Sequence, residues 1–332
     1  MSLSATLVDL AVAISLAFIL RNVWALVMGS IVFGIVKCLG SYRLHSYRPK
    51  LHWNWPVTKS LLNFGKHIFW INIMVFVITS GDDALVGKLL GLSMLGFYTM
   101  AFNIASIPMS SLSGVLSQVL FPAYAKIQSE PKRIDEAFQR TFEIVMIVLL
   151  PLTSMMIVLA SNFTTVFLGE RWLPIIPALQ VLLFFGMFRS VSSLFYPLHL
   201  AVNRPDIQAK IKSLDLVTFL IFAYPLTIKW GIVGTSYAMA IVYFINMIMN
   251  IASTFYLIPL SWKKLGVSLL FPFFVSFTVI ATFILIHSLK LHIGKIANFT
   301  LMLASCLGVA TILVGIFRRR LLIDFIDSIK FS

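Results

Sequence analysis

Charged residues are scarce in this 332-residue sequence: they make up 11% of it, and only 12 are Asp or Glu. Cysteine is rarer still, and because Cys38 and Cys306 both lie in or beside apolar runs, no disulfide framework is predicted. His, Cys and carboxylate side chains do not cluster at ligand spacing, so we expect no metal, no cofactor and no catalytic site. The longest loops, residues 41–60 and 126–140, are also far too short for a folded catalytic domain.

Hydrophobic residues, by contrast, are abundant and account for 59% of the sequence. They fall into runs of a length that crosses the hydrocarbon core of a bilayer as a helix. We therefore predict an all-α integral membrane protein with about ten transmembrane helices. The predicted spans are residues 3–20, 23–40, 61–80, 95–120, 142–160, 174–200, 213–229, 231–257, 266–288 and 296–317.

The formal net charge of +14 reports topology, not a nucleic-acid partner. Of the 26 Lys and Arg residues, seventeen lie in alternate loops and six in the loops between them. The positive-inside rule then predicts that both termini are cytoplasmic. The cytoplasmic loops include one with Arg204, Lys210 and Lys212. In the basic loop of residues 126–140, the segment after Pro131 is predicted to form a short amphipathic helix against the inner leaflet, with Ile134, Ala137 and Phe138 on one face.

Polar side chains recur at helical spacing in three of the spans, which places each set on one helix face. Such a stripe either lets helices pack closely, with hydroxyls bonding across the interface, or lines a hydrated cavity. The three stripes are Asn103, Ser106, Ser110, Ser113 and Ser117; Gly186, Arg189, Ser193 and Tyr196; and Ser236, Tyr243, Asn246, Asn250 and Ser253.

Arg189 stands out because a guanidinium cannot lose its charge in an otherwise apolar span. Its side chain could reach the cytoplasmic face or pair with Glu143 or Asp215. Alternatively, it faces a water-filled cavity and binds an anionic headgroup, whose oxygens suit its donors. At the outer end of the third span, Asp82 and Asp83 could bind a coupling cation or simply mark the membrane interface.

Five stretches form a recognisable series along the chain: "DDALVGKLLGLSMLGFYTMAFNIASIP", "LSQVLFPAYAKIQSEPKRIDEAFQR", "LGERWLPIIPALQVL", "MFRSVSSLFYPLHLAVNRPDIQAK" and "KWGIVGTSYAMAIVYF". In their order and spacing they resemble the polysaccharide transporter family, the Wzx-type lipid-linked oligosaccharide or O-antigen flippases of the multidrug/oligosaccharidyl-lipid/polysaccharide (MOP) exporter superfamily. The resemblance covers nearly all of the chain after residue 55.

The resemblance implies two six-helix lobes around a central cavity, followed by two further helices. Residues 1–41 would be the last two helices of an incomplete N-terminal lobe, and residues 42–60 a cytoplasmic linker. Residues 61–257 would form the complete C-terminal lobe, and residues 258–332 the two trailing helices and a cytoplasmic tail. Because the first four helices of the family pattern are missing from this sequence, we do not expect the chain to transport by itself.

The resemblance further implies a function in surface polysaccharide biosynthesis at the bacterial inner membrane: flipping of an oligosaccharide linked to undecaprenyl diphosphate. The implied partners are this lipid-linked oligosaccharide, membrane lipids, and a polysaccharide polymerase with other assembly proteins. Arg189 would bind the diphosphate, and polar residues would line the path of the sugars. The substrate-binding candidates are Arg189, Ser193, Tyr196, Asn103, Asn246 and Asn250.

Two other functions are less consistent with the sequence. A multidrug or cation antiporter of the same superfamily needs carboxylates inside the membrane, and the spans contain little besides Asp9 and Asp215. A membrane glycan polymerase or ligase needs a large outward loop for its catalytic residues. The predicted outward loops are all short, so the chain is predicted not to be an enzyme.

Overall fold

The computed structural model describes residues 54–258, 262–289 and 294–317, and a few helical residues between 28 and 42. The chain divides into two compact units, residues 1–64 and 65–332. The first two predicted spans lie almost entirely outside the described residues. Throughout the described ranges the regular structure is helical, which confirms the predicted all-α class.

Eight α-helices make up the described part of the chain after residue 54. A π-helical turn (Thr164–Leu168) and a 3₁₀ helix (Glu170–Ile175) connect the third helix to the fourth. The helices are α1 (Trp55–Leu90), α2 (Leu92–Lys126), α3 (Pro131–Phe163), α4 (Ile176–Ser193), α5 (Phe195–Ala201), α6 (Pro205–Leu257), α7 (Trp262–Ser288) and α8 (Lys295–Phe317).

Five helical stretches in the described ranges are long and apolar enough to cross a membrane. The predicted count of ten cannot be compared directly with this number, because the first spans fall on residues that are not described. The chain is nonetheless a multi-pass membrane protein. The five stretches are Pro131–Leu168, Glu170–Ala201, Pro205–Leu257, Lys263–Ser288 and Lys295–Phe317.

Helix α6 is a hairpin of two helices, because its backbone leaves the helical region at Trp230 and Gly231. Gly231 has a φ of +59°, a backbone conformation that residues with a Cβ rarely adopt. The Thr227 and Thr235 hydroxyls then meet at 2.8 Å across the turn. The first half (residues 205–229) thus runs antiparallel to the second (residues 232–257), which agrees with the predicted spans 213–229 and 231–257.

The fourth helix ends where a proline removes a backbone hydrogen bond. Pro197 has no N–H to donate to the carbonyl of Ser193, the last residue of α4, and Leu194 alone separates α4 from α5. Helix α4 lies between its neighbours α2, α3 and α6. Gly186 permits the closest approach, since a Cβ there would lie 2.5 Å from the carbonyl oxygen of Ala105 in α2.

One local prediction is wrong. The segment after Pro131 is not a separate amphipathic helix, because α3 continues without a break from Pro131 to Phe163. Ile134 and Phe138 are buried inside the protein, where Phe138 packs on Phe195 of α5 with ring centres 5.0 Å apart. The apolar face therefore contacts other helices of the chain.

Candidate functional site: a cationic cluster and a buried polar chain

Arg189 lies on α4 among aromatic rings. Its Cζ atom is 5.8 Å from the ring centre of Phe185, one turn earlier, and 5.6 Å from that of Tyr243 on the second half of α6. The two rings meet edge to face, with centres 4.9 Å apart. The Arg189 side chain is partly exposed, and in the described part of the chain it has no ion pair with Glu143 or Asp215. Its contacts are thus those of a cation over rings.

Lys212 reaches the same ring from the other half of the hairpin. Its Nζ is 5.2 Å from the Tyr243 ring centre and 2.8 Å from Oδ2 of Asp215. Lys210 and Lys212, which were predicted to lie in a loop, are helical: α6 begins at Pro205, and Lys212 lies two turns inside it. Its side chain is 20% exposed, whereas Lys210 is exposed.

The two cations repel each other, which limits what the cluster can do without an anion. Their separation cannot exceed about 10.8 Å, which follows from their distances to the Tyr243 ring centre, so at an effective dielectric constant of about 20 the repulsion is at least about 1.5 kcal/mol. Asp215 neutralises one charge, and the Tyr243 ring attracts both. The cluster of Arg189, Lys212, Asp215 and Tyr243 therefore keeps one net positive charge.

A buried chain of side-chain hydrogen bonds starts at Asp215. The Asn246 amide donates to Oδ2 of Asp215 at 2.7 Å, and the Asn250 amide donates to Oδ1 of Asn246 at 2.9 Å. The Gln208 amide donates in turn to Oδ1 of Asn250 at 2.8 Å. All four of these side chains are almost fully buried, so the bonds join the two halves of the α6 hairpin inside the protein.

The chain of hydrogen bonds continues to α5 through His199. Gln208 Nε2 lies 2.7 Å from Nδ1 of His199, and Nε2 of His199 lies 2.9 Å from the Thr254 hydroxyl. The Thr254 hydroxyl donates to the Asn250 carbonyl, so His199 must donate to it from Nε2 and accept from Gln208 at Nδ1. This pattern corresponds to a neutral imidazole with one defined tautomer.

The six predicted substrate-binding residues fall into two groups. Arg189, Ser193, Tyr196 and Asn103 are at least partly exposed, and Tyr196 is 48% exposed. The Ser193 hydroxyl also donates to the Ser190 carbonyl at 2.7 Å. Asn246 and Asn250 are 2% and 1% exposed and bond to each other. A role in substrate binding stays a prediction for all six.

The other polar residues that the sequence analysis singled out include Ser106, Asp82 and Asp83. Ser106 has a buried hydroxyl with no hydrogen-bond partner in the described residues, and the side chains of residues 108–119 are not described. Asp82 is buried and accepts a hydrogen bond of 2.8 Å from the Tyr98 hydroxyl, while Asp83 is half-buried. Within the described residues, no group of three or more His, Cys, Asp or Glu could hold a metal ion.

The sequence analysis gave no role in a site to three residues of this region, Lys212, Gln208 and His199. Lys212 and Asp215 are spaced for contact within one helix, so their pairing could have been found from the spacing alone. Gln208 and His199 offered no such signal, because they meet only when α5 packs against the α6 hairpin.

The model of a protein family described as "Polysaccharide biosynthesis protein" matches residues 1–177. The chain is 30% identical to "Lipopolysaccharide biosynthesis protein WzxC" of Escherichia coli (strain K12) over 256 residues, which are 75% of this chain and 51% of WzxC. It is 22% identical to "Probable low-salt glycan biosynthesis flippase Agl15" of Haloferax volcanii over 251 residues, which are 74% of this chain and 51% of Agl15. The chain thus spans about half the length of these relatives.

A solved structure shows the same fold. "Lipid II flippase MurJ, inward closed conformation" matches with a TM-score of 0.67 at 16% identity, over 90% of this chain and 62% of the MurJ chain. Such a distant match extends to the fold only. The family match covers more than half of the chain and extends to the start of α4. This multi-pass membrane chain therefore belongs to the family of polysaccharide biosynthesis proteins.

Proposed function

We propose that this chain takes part in moving a lipid-linked oligosaccharide across the bacterial cytoplasmic membrane, and that the lipid carrier is undecaprenyl diphosphate. The family match and the names of the relatives support a role in polysaccharide export. Residues 61–257 would act as the C-terminal lobe, and both termini would lie in the cytoplasm. A polysaccharide polymerase and other assembly proteins would take over the exported glycan.

The cationic group of Arg189 is the observation that carries this proposal. Arginine at the centre of a membrane helix costs about 2.5–3.5 kcal/mol on insertion scales, and a cation–π contact recovers about 0.5–2 kcal/mol. Phe185 and Tyr243 provide such contacts, but within the described residues no carboxylate neutralises Arg189. A diphosphate would supply both the charge and the paired oxygens that a guanidinium fork binds.

The other predicted residues would have two different roles: some would contact the ligand directly, and the others would support the cationic cluster from behind. Tyr196, Ser193 and Asn103 would contact the sugars, since all three are at least partly exposed. Asn246 and Asn250 are buried, so their contribution would be to hold Asp215 and the α6 hairpin in place behind the cationic cluster.

The antiporter alternative receives no support from the described carboxylates. Asp215 already binds Lys212 and Asn246, and Asp82 binds Tyr98. A coupling cation at Asp82, or at Oδ2 of Asp215, would have to displace these partners. We therefore retain glycan translocation as the function that the site fits best.

The direct test is binding of undecaprenyl diphosphate to the purified chain in lipid nanodiscs. Arg189→Ala should weaken binding about 10- to 100-fold, the value of charge-assisted hydrogen bonds. Arg189→Lys should retain part of the affinity because it keeps the charge but loses the fork. Arg171→Ala removes an exposed arginine and serves as the control. Unchanged binding by a folded Arg189→Ala protein would contradict the proposal.

Topology has its own test. Single cysteines introduced at Glu130 and Arg171 should react with a membrane-impermeant thiol reagent from opposite sides of intact cells. The reason is that one membrane span, α3, separates the two positions. Labelling of both from the same side would contradict the proposed orientation.

A further inference from the structure

We infer that Lys212 is a second headgroup-binding cation, and that it makes the site select a diphosphate over a monophosphate. This inference rests on the proposed function and deepens it, because it concerns the same anion site. The sequence analysis assigned Lys212 to a loop and gave it no role in ligand binding. The inference comes from the contact of its ammonium group with the Tyr243 ring, which Arg189 also contacts.

The two cations share one aromatic ring. Arg189 Cζ and Lys212 Nζ lie 5.6 Å and 5.2 Å from the centre of the Tyr243 ring, so their separation cannot exceed the sum of these distances. They come from different helices, α4 and the first half of α6. Two linked phosphates would give each cation a phosphate group of its own, whereas a single phosphate would have to share its oxygens between them.

Asp215 makes Lys212 a cation that can change partners. The ammonium group has three donors, and one of them binds Oδ2 of Asp215 at 2.8 Å. The same Oδ2 accepts from Asn246, so the carboxylate keeps a hydrogen bond when Lys212 turns away. Lys212 is partly exposed and has a flexible stem, while Asp215 is 1% exposed and held inside the protein. Phosphate would therefore compete with Asp215 for a mobile partner.

A purely structural role for Lys212 makes a different prediction. If Lys212 only neutralises the buried Asp215, its removal should destabilise the protein and reduce the affinity for every ligand by the same factor. If Lys212 binds the second phosphate, its removal should lower the affinity for a diphosphate selectively. The ratio of the two affinities therefore separates the two roles, whatever happens to protein yield.

The experiment measures binding of two radiolabelled probes, farnesyl diphosphate and farnesyl monophosphate, to the full 332-residue chain in nanodiscs. The probes share a tail and differ by one phosphate. We expect the unaltered chain to prefer the diphosphate by about tenfold, the effect of one charge-assisted hydrogen bond. Lys212→Gln should abolish most of this preference and change monophosphate binding by about twofold or less.

Three further variants complete the design. Lys210→Gln, an exposed lysine two residues away, should leave the preference unchanged. Lys212→Gln combined with Asp215→Asn removes both charges of the pair, so no buried carboxylate is left alone if the single variant folds poorly. This double variant should also lose the preference. Asp215→Asn alone should strengthen diphosphate binding, because Lys212 no longer has a competing partner.

The results distinguish this inference from the proposed function. A diphosphate preference that survives in the folded Lys212→Gln or double variant would overturn the role of Lys212. If Arg189→Ala still abolished binding in that case, the proposed headgroup site would stand without Lys212. Failure of the unaltered chain to bind either probe would overturn both.

Discussion

Two polar regions of this protein follow the same sequence pattern but differ in their surroundings. The stripe on the second half of α6, with Asn246 and Asn250, is buried and bonded to other side chains. The stripe around Arg189 on α4 is partly exposed, and its arginine contacts rings. Polar residues at helical spacing therefore do not by themselves distinguish a helix interface from a ligand surface.

The chemistry of the side chains explains the difference. An amide carries both donors and acceptors, so Asn246, Asn250 and Gln208 can satisfy one another in a closed chain. A guanidinium has only donors, so it cannot form a self-sufficient chain with its own kind. An arginine in a membrane helix must therefore obtain every acceptor from another group, such as a carboxylate, a carbonyl oxygen, water or a ligand. The residue type in a stripe is thus more informative than its spacing.

The largest effect on stability should follow from shortening a side chain at the centre of the buried hydrogen-bond chain. Asn250→Ala removes the acceptor of Gln208 and the donor to Asn246, and each buried group left without a partner costs about 1–3 kcal/mol. We expect a loss of about 3 kcal/mol in the free energy of unfolding, measured by SDS titration of the purified chain. Met249→Ala, at an exposed neighbouring position, is the control. A change no larger than that of the control would show that the chain of bonds does not stabilise the hairpin.

A smaller effect should reveal the connectivity of this chain. Gln208→Ala and Asn250→Ala remove two ends of the same hydrogen bond, so their effects should not add. The double variant should be more stable than the sum of the single losses predicts, by about 0.6–1.7 kcal/mol, the range of hydrogen bonds between membrane helices. A coupling energy of zero would mean that Gln208 and Asn250 act independently.

Much of the fold could be predicted from the sequence, because length and composition specify membrane spans directly. The hairpin turn was placed correctly between residues 229 and 231, where a Trp-Gly pair interrupts an apolar run. The segment after Pro131 was misassigned, since an apolar face does not reveal whether lipid or protein covers it. Phe138 packs on Phe195, a residue far away in the sequence.

The candidate site was less predictable than the fold. Arg189 could be identified as unusual from its span alone, but its ring contacts depend on how α4 meets α6. Lys212 was assigned to a loop because the apolar run begins only at Leu214, whereas the helix begins at Pro205. Hydropathy marks the part of a helix that is in lipid, and it does not mark where the helix begins.

Replacing the arginine should affect stability less than truncating the buried chain. Arg189→Gln loses cation–π contacts with Phe185 and Tyr243, each worth about 0.5–1 kcal/mol. It also removes the cost of a charge in the membrane, so we expect a net change below about 1 kcal/mol in the same SDS titration. A loss of about 3–5 kcal/mol would instead identify Arg189 as a member of a buried ion pair.

The smallest effect should come from Tyr196, which shares the predicted face of Arg189. Tyr196 is 48% exposed, so Tyr196→Phe should change the free energy of unfolding by less than about 0.5 kcal/mol. If its hydroxyl contacts the sugars, binding of undecaprenyl diphosphate without a glycan should be unchanged, while binding of the glycan-bearing lipid should weaken by about two- to tenfold. Tyr224→Phe is the matched control, because Tyr224 is 56% exposed on the first half of α6. Equal weakening for both lipids would place Tyr196 at the headgroup, and no weakening for either would remove it from the site.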